Sequence, residues 1–464
     1  MKKIIFFTAF FWYTFLNANT IAPVLVENFH ELYIGKELYL YEDKNQQETI
    51  DTIKTKISEF KKSEKEIPNF GYSNSTFWVY FKIKNPTNQN SKILLELYYP
   101  LLDEIDFYLF ESGNMIKTIE TGDLRNFYTR EIPHRNFLFP LSFNPQQEYE
   151  IFFKIKSQGS VQIPLRIISY QTFIQKEHIE QYIQGIYYGI MIAMIFYNFF
   201  LLLSIKDISY LYYILYIFGI MSFSLIFSGY AFEFLWPNAP LFGNIILPIM
   251  IGFLALFAGI FTMHFLRMKE LTPIIYKILF GLNIVFFIII PLSIFLPYKM
   301  IIKIATYSVL PFAMIAPVGS FFSYKKGWKP ARFYVTAWTV VLIGMFVLSL
   351  KQLGKLPNNF FTEYSLQIGS ALEVILLSLG LADRINVLKQ EKEKAQTELL
   401  NTKIIMLDSF SRFVPKHFAN ILQKESILDV KPGDATEKDL AILFNDIKNF
   451  STLAEMMSVK ETFE

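Results

Sequence analysis

Between Gln184 and Leu381 the chain carries seven long apolar segments that are almost free of charge. Each is about 20 residues long, the length a helix needs to cross the roughly 30 Å of hydrocarbon in a bilayer. The segments run Gln184–Ser204, Ile208–Ser228, Ile245–Leu266, Ile275–Leu296, Ile301–Phe322, Phe333–Leu350 and Thr362–Leu381. Pro248, Pro291, Pro311 and Pro317 fall inside them, and membrane bundles tolerate such breaks because neighbouring helices satisfy the freed backbone. A mean hydropathy of +0.30 with 18% charged residues agrees with a chain built largely for lipid.

Loop charges orient the spans, since lysine and arginine are retained on the cytoplasmic side. Lys206 lies in the first loop, Arg267, Lys269 and Lys277 flank the third, and Lys325, Lys326, Lys329 and Arg332 crowd the fifth. The second loop, Gly229 to Asn244, has no basic residue, and the fourth and sixth carry only Lys299, Lys303, Lys351 and Lys355. Odd loops are therefore inside, the N-terminal domain is outside, and everything after Ala382 is cytoplasmic. The N-terminus agrees: Met1-Lys2-Lys3 precedes an apolar run from Ile4 to Leu16, too short to span. Residues 1–22 read as a secretory signal peptide, with a short membrane anchor as the alternative. The expected location is a bacterial inner membrane, crossed several times.

Several chemistries are excluded outright. With no cysteine, disulfide scaffolds, thiolate zinc sites and thiol nucleophiles are absent. The five histidines never fall three or four residues apart, which excludes a helical His-pair metal site. A net charge of +3 offers no concentrated cationic field, so no nucleic-acid partner is expected.

Residues 24–175 alternate polar and apolar in short runs, as in Phe77-Trp78-Val79-Tyr80-Phe81-Lys82-Ile83-Lys84 and Ile105-Asp106-Phe107-Tyr108-Leu109-Phe110. Alternation with turn signals at Asn85-Pro86 and Ser112-Gly113 predicts an extracellular all-β sandwich, jelly-roll-like, with Asp51–Lys65 a helix or loop beside it. Trp78 is expected in the core rather than as a platform for a sugar ring. Gly185/Gly189 and Ala255/Gly259 have the spacing of close helix packing, and Asn198 is assigned a structural role. Glu373, an ionisable group midway along the seventh span, is either an inter-helix polar contact or a participant in transmembrane signalling.

Past Ala382 the composition turns charged. Leu381, Ile385, Leu388, Lys392, Ala395, Leu399, Thr402 and Met406 keep a heptad register, which predicts a coiled-coil linker over residues 385–410 that pairs two copies; a solvated single helix is the other reading. In the last segment, 411–464, Leu440–Phe444 suits a buried strand and Thr452/Glu455 have capping-box spacing. Asp446 would then leave a strand just before a helix N-terminus, where a carboxylate can hold a divalent cation and the amides of Asn449, Phe450 and Ser451 can receive phosphate oxygens. A solvated turn aspartate is the plainer alternative.

Ser411-Arg412-Phe413-Val414-Pro415, the Gly433-Asp434 turn and Leu443-Phe444-Asn445-Asp446-Ile447-Lys448-Asn449-Phe450-Ser451 together resemble the opening of a class III adenylate/guanylate cyclase domain. The resemblance implies that Asp446 and the Ile447 backbone carbonyl are metal ligands for two Mg2+ or Mn2+ ions in a complete domain, which converts ATP or GTP to a cyclic nucleotide. Such a domain is far longer than 411–464, so the fragment is expected to be a truncated α+β domain, to hold no complete catalytic set and to be inactive alone. The Trp78–Asn85 strand, the Tyr98–Asp103 and Thr121–Asp123 turns, Lys206-Asp207-Ile208-Ser209 and Ile368–Glu373 are similar to bacterial seven-transmembrane receptors with diverse intracellular signalling modules, over about Leu38 to Arg384. That family implies a multi-domain membrane protein: a sensor sandwich (24–175) for an extracellular small-molecule or carbohydrate ligand, a seven-helix transmembrane bundle (182–384) and an intracellular output, working as a homodimer. The alternative is a non-enzymatic receptor or adaptor that acts through a partner protein.

Overall fold

The computed structural model describes residues 21–27, 30–352, 356, 359–413, 420–424, 429–439, 441, 443 and 445–463. All but the end of the signal segment, and His417, lie outside them. The chain divides into two compact units, Met1–Val387 and Leu388–Glu464.

The first unit begins as a β-sandwich. One sheet runs in the order Lys61–Lys62, Tyr39–Asp43, Thr76–Lys84, Glu148–Lys156, Glu104–Glu111, Asn114–Thr121, with Val24–Leu25 parallel to Thr76–Lys84. The facing sheet runs Phe137–Phe143, Ser91–Leu97, Leu165–Ile168, Glu31–Tyr33. Phe77, Val79, Phe81 and Ile83 point between the sheets into one apolar core. Trp78 and Tyr80 point the other way, into a second layer closed by Ile53 of the helix Ile50–Thr55 and by Phe60. Burial on both faces is why this strand reads as nearly unbroken apolar sequence. Trp78 is fully buried, as expected, though in the outer layer and not the central one. The Asp51–Lys65 segment resolves into that helix, capped reciprocally by Thr49 and Thr52, then a 3-10 turn Ile57–Glu59 and the strand Lys61–Lys62.

Among the described residues seven helices are long and apolar enough to cross a membrane: Tyr170–Ile205, Pro240–Phe265, Pro273–Phe295, Tyr298–Lys325 and Ile208–Phe227, with Ala331–Gln352 and Ser365–Phe413. They stand where the hydropathy places them and extend further. The first starts at Tyr170, one residue after the last sandwich strand, because the Ser169 hydroxyl accepts the Thr172 amide at 3.2 Å and caps it there. Helix persists through all four internal prolines. Phe200, Phe295 and Met314 are exposed by 65%, 78% and 74%, whereas Asn198, Ser320 and Glu373 are buried. Apolar outside and polar inside is the arrangement that lipid selects. This is a multi-pass membrane protein.

The sandwich is seated on one end of the bundle, and only the even loops and the start of the first span meet it in the bonds that follow. Arg135 pairs with Glu180 at 2.7 Å, and Tyr98 donates to the same carboxylate at 3.0 Å. The Phe127 amide donates to Pro237 at 3.0 Å, Lys299 to the Ser73 carbonyl at 3.2 Å, and a Cβ on Gly229 would lie 2.7 Å from Pro100. The odd loops gather at the opposite end, where Trp328 Nε1 donates to Phe265 at 3.0 Å and Arg332 pairs with Asp383 at 3.2 Å. Of the two small-residue pairs, only one packs helices: a Cβ on Gly259 would fall 1.9 Å from Asn283 Oδ1, while Gly185 and Gly189 face open space.

Candidate signal-transmission site

The seventh helix is the most buried of the spans: half of its apolar window is enclosed, against 11% for the first. Ser370, Glu373, Val374, Leu377, Ser378, Leu381 and Arg384 recur at three- and four-residue spacing and are all buried, which turns one continuous face toward the bundle. That face is held by polar contacts from several spans. Gln367 donates to Gln184 at 3.1 Å, and Ser370 and Tyr187 share a hydrogen bond of 3.2 Å. The Tyr216 hydroxyl donates to Glu373 Oε1 at 2.7 Å, and that of Tyr213 donates to the Val374 carbonyl. Ser378 donates to Asn198 Oδ1 at 3.2 Å.

Where the helix leaves the bundle, Arg384 Nη1 donates to Asp207 Oδ2 at 3.0 Å and also to Ser209 Oγ. Asp207 caps the second span by accepting the Ser209 amide at 2.8 Å, and Ser209 Oγ shares a bond of 2.8 Å with His264 Nδ1. Burial pushes the Asp207 carboxyl up, but its bonds from Ser209 and the charge of Arg384 outweigh this and hold it below the usual carboxylate range. A single residue of the seventh helix thus clasps the first loop, and through Ser209 reaches the end of the third span.

Glu373 accepts from Tyr216 and Asn198 accepts from Ser378, both contacts between helices, and the Glu373 contact is compatible with either reading of that residue. Tyr213, Tyr216 and Arg384 carry as much of the site and escaped the sequence reading. The two tyrosines show only as hydroxyls three apart in an apolar span, and Arg384 lies just past the last hydrophobic residue.

In the second unit, Ser365–Phe413 continues as a helix whose Leu399 and Met406 are 72% and 60% exposed. The expected buried strand at Leu440–Phe444 is not formed among its described residues. Ala441 and Leu443 have no regular structure and Leu443 is 88% exposed, since an apolar run becomes a strand only beside partners that pair its edges. The helix after Asp446 begins at Phe450, not at Thr452, with Asn449 in the left-handed region at φ 64° and no side-chain cap. The Phe450 amide donates to the Ile447 carbonyl at 3.1 Å, so a group proposed for phosphate is spent on a group proposed for metal. Asp446, Asn449 and Ser451 are exposed, and no three metal-ligating side chains cluster among the described residues. These residues do not fit a Mg2+ or Mn2+ site as they stand. The Gly433-Asp434 turn is present, closed by the Lys431 amide on Asp434 at 2.7 Å.

The fold and this site define a polytopic membrane protein with a β-sandwich head and a central last helix that leaves the bundle at the far end. Comparison with known families says more: residues 180–384 match the model described as 7TM diverse intracellular signalling, and residues 35–169 match 7TMR-DISM extracellular 2. The chain carries both receptor-type domains. It is also similar to an adenylate cyclase of Anabaena cylindrica, 31% identical over 84 residues. That alignment covers 18% of this chain and spans 16% of the relative's length.

Proposed function

We propose that this protein is a transmembrane signalling receptor whose sandwich takes an extracellular small-molecule or carbohydrate ligand and whose seventh helix carries the response to a cytoplasmic, cyclase-type output. The observation that carries this reading is the Ser365–Phe413 helix, bound by polar contacts from Gln367 to Arg384 and then continuing, without interruption, into a charged segment. The basic residues of the odd loops support a cytoplasmic location for that end, in a bacterial inner membrane, with the head outside it. Leu399 and Met406 of the heptad seam lie uncovered in one chain, which favours a parallel homodimer through residues 385–410. The similarity to an adenylate cyclase supports the output class. The exposed Leu443 also suits a second reading, in which the terminal segment docks on a partner protein.

The chain has no cysteine, so single-cysteine variants report cleanly. In intact cells a membrane-impermeant maleimide should label M115C, on an exposed strand of the head, and should reach K394C only after permeabilisation. Equal labelling of both from one side would overturn the receptor topology.

A further inference from the structure

Two turns singled out by the sequence, Tyr98–Asp103 and Thr121–Asp123, meet at the underside of the head. The Asp123 amide donates to Leu102 at 2.8 Å and the Leu124 amide to Asp103 at 3.1 Å. Gly122 allows this approach: its φ is 142°, and a Cβ there would lie 2.0 Å from the Asp103 carbonyl oxygen. The result lays the two turns against each other and sets the two carboxyl groups near enough for each to act on the ionisation of the other.

Their surroundings are unequal. Asp103 accepts from the Ser157 hydroxyl at 3.1 Å and from the Gln158 amide at 2.9 Å, bonds that suit an anion. Asp123 Oδ1 is enclosed and accepts nothing. It lines a cavity of about 20 Å³, room for one water, between Pro100 and Leu101 of the head and Gly229, Trp236 and Tyr298 of the bundle. Among the described residues neither acid has an ion pair within 4.0 Å; the cation facing Asp123 is Arg130, whose guanidinium is held over Phe127 and Phe137 at 4.5 and 4.4 Å. Glu104 and Tyr99 from the head, and Tyr298 and Lys299 from the first turn of the fifth span, complete the charged and titratable groups around the pair. A second anion here would be unpaired at the contact between head and bundle, which is far costlier than a neutral acid.

We infer that Asp103 and Asp123 form a proton-binding site: Asp123 keeps its proton and donates it to Asp103, the head stays seated on the bundle while that proton is held, and external acidity is an input to the receptor. Release breaks the Asp123 O–H bond, passes the proton to solvent water and leaves two facing carboxylates. Burial first, and then the charge of Asp103, push the Asp123 carboxyl well above its usual range, against the opposing pull of Arg130. A group whose acidity is weakened by folding stabilises the fold at low pH and loses that contribution as pH rises through its folded-state value. The site rests on the receptor reading only for which compartment supplies the proton.

The test uses the full chain in lipid nanodiscs, where neither orientation nor output enters. Wild type and D123N are unfolded thermally between pH 5 and pH 8. The amide of Asn can donate to Asp103 as the acid does, so D123N should hold its acid-side stability across the range. The wild-type folding equilibrium should fall relative to it by about tenfold per pH unit between the unfolded-state value, about 4, and the folded-state value, and level off above that. The difference cancels the contributions of all other groups common to the two proteins. Parallel pH profiles would overturn the inference. Infrared difference spectroscopy of the wild type alone at pH 6, unlabelled minus 13C-aspartate-labelled, gives a readout on the native protein; it should show the C=O stretch of a protonated aspartic acid, and its absence would overturn the inference even if D123N failed to fold.

Discussion

Arg384 is the residue on which the exit of the seventh helix turns, and its contribution can be measured by a double-mutant cycle with Asp207. The ion pair is 3.0 Å long, and the two side chains are 7% and 17% exposed, so solvent screens it only in part. A hydrogen bond between charged groups contributes about 1.5–3 kcal/mol, and partial exposure of Asp207 favours the lower half, about 2 kcal/mol. D207N keeps the cap on the Ser209 amide, because asparagine caps as well as aspartate, so the cycle isolates the charge pair. R384M keeps the aliphatic stem. Each single variant should cost about 2 kcal/mol in equilibrium unfolding by SDS in mixed micelles, and the double variant about as much as either alone. A coupling energy under about 0.5 kcal/mol, the ordinary limit of additivity, would refute the assignment of Arg384 as the clasp.

Helix packing gives a contrast: G259V drives a side chain into Asn283 and should lower the unfolding temperature or abolish folding, while G185V should leave it unchanged, both read by fluorescence-detected size exclusion after heating. In the head, Arg166 bonds Glu96 through Nε at 2.8 Å and Nη2 at 2.7 Å and Glu31 at 2.6 Å, with the Glu96 side chain only 1% exposed. R166M leaves that carboxylate buried without its cation and should destabilise the head by about 3–5 kcal/mol; R166M/E96Q should recover much of this in the same unfolding assay.

What the sequence made legible follows from the length scale of each signal. The seven spans were plain because lipid imposes a composition on some twenty consecutive residues at once. Their ends were not, because a single cap such as Ser169 sets them, and hydropathy is blind to it. The sandwich showed in its alternation, with a helix or loop at Asp51–Lys65 beside it, but not that Ile50–Thr55 covers its outer face, and so the strand Thr76–Lys84 looked more apolar than a one-sided sheet allows. Glu373 stood out as a lone charge; Tyr216, which satisfies it, is an ordinary residue of its span until the fold places it 2.7 Å away. Leu443 shows the converse, an apolar residue left exposed where the described residues supply no strand to pair with it. Gly259 and Gly185 share a spacing motif, yet only the first meets a neighbour.

The contacts along the seventh helix also bear on how it could signal. From Gln367 to Arg384 they extend over about 25 Å of helix axis, at 1.5 Å per residue. All lie on one face, so rotating the helix by one residue position, about 100°, would withdraw every one of them together. A small tilt would strain them all without releasing any. Motion of this helix is therefore better described as two alternative seatings than as a graded slide, and a seating survives only if the new face finds partners as good as Tyr216 and Asp207. One-turn translation along the axis is the cheaper alternative, since it keeps the same face inward and would set Val374 in the place of Ser370 or, in the other direction, of Ser378, against the same neighbours. After such a translation Ser209 and Asp207 would face Gly380 or Leu388, and Tyr216 would face Gly369 or Leu377, so neither contact to a charged residue of this helix has a substitute one turn away.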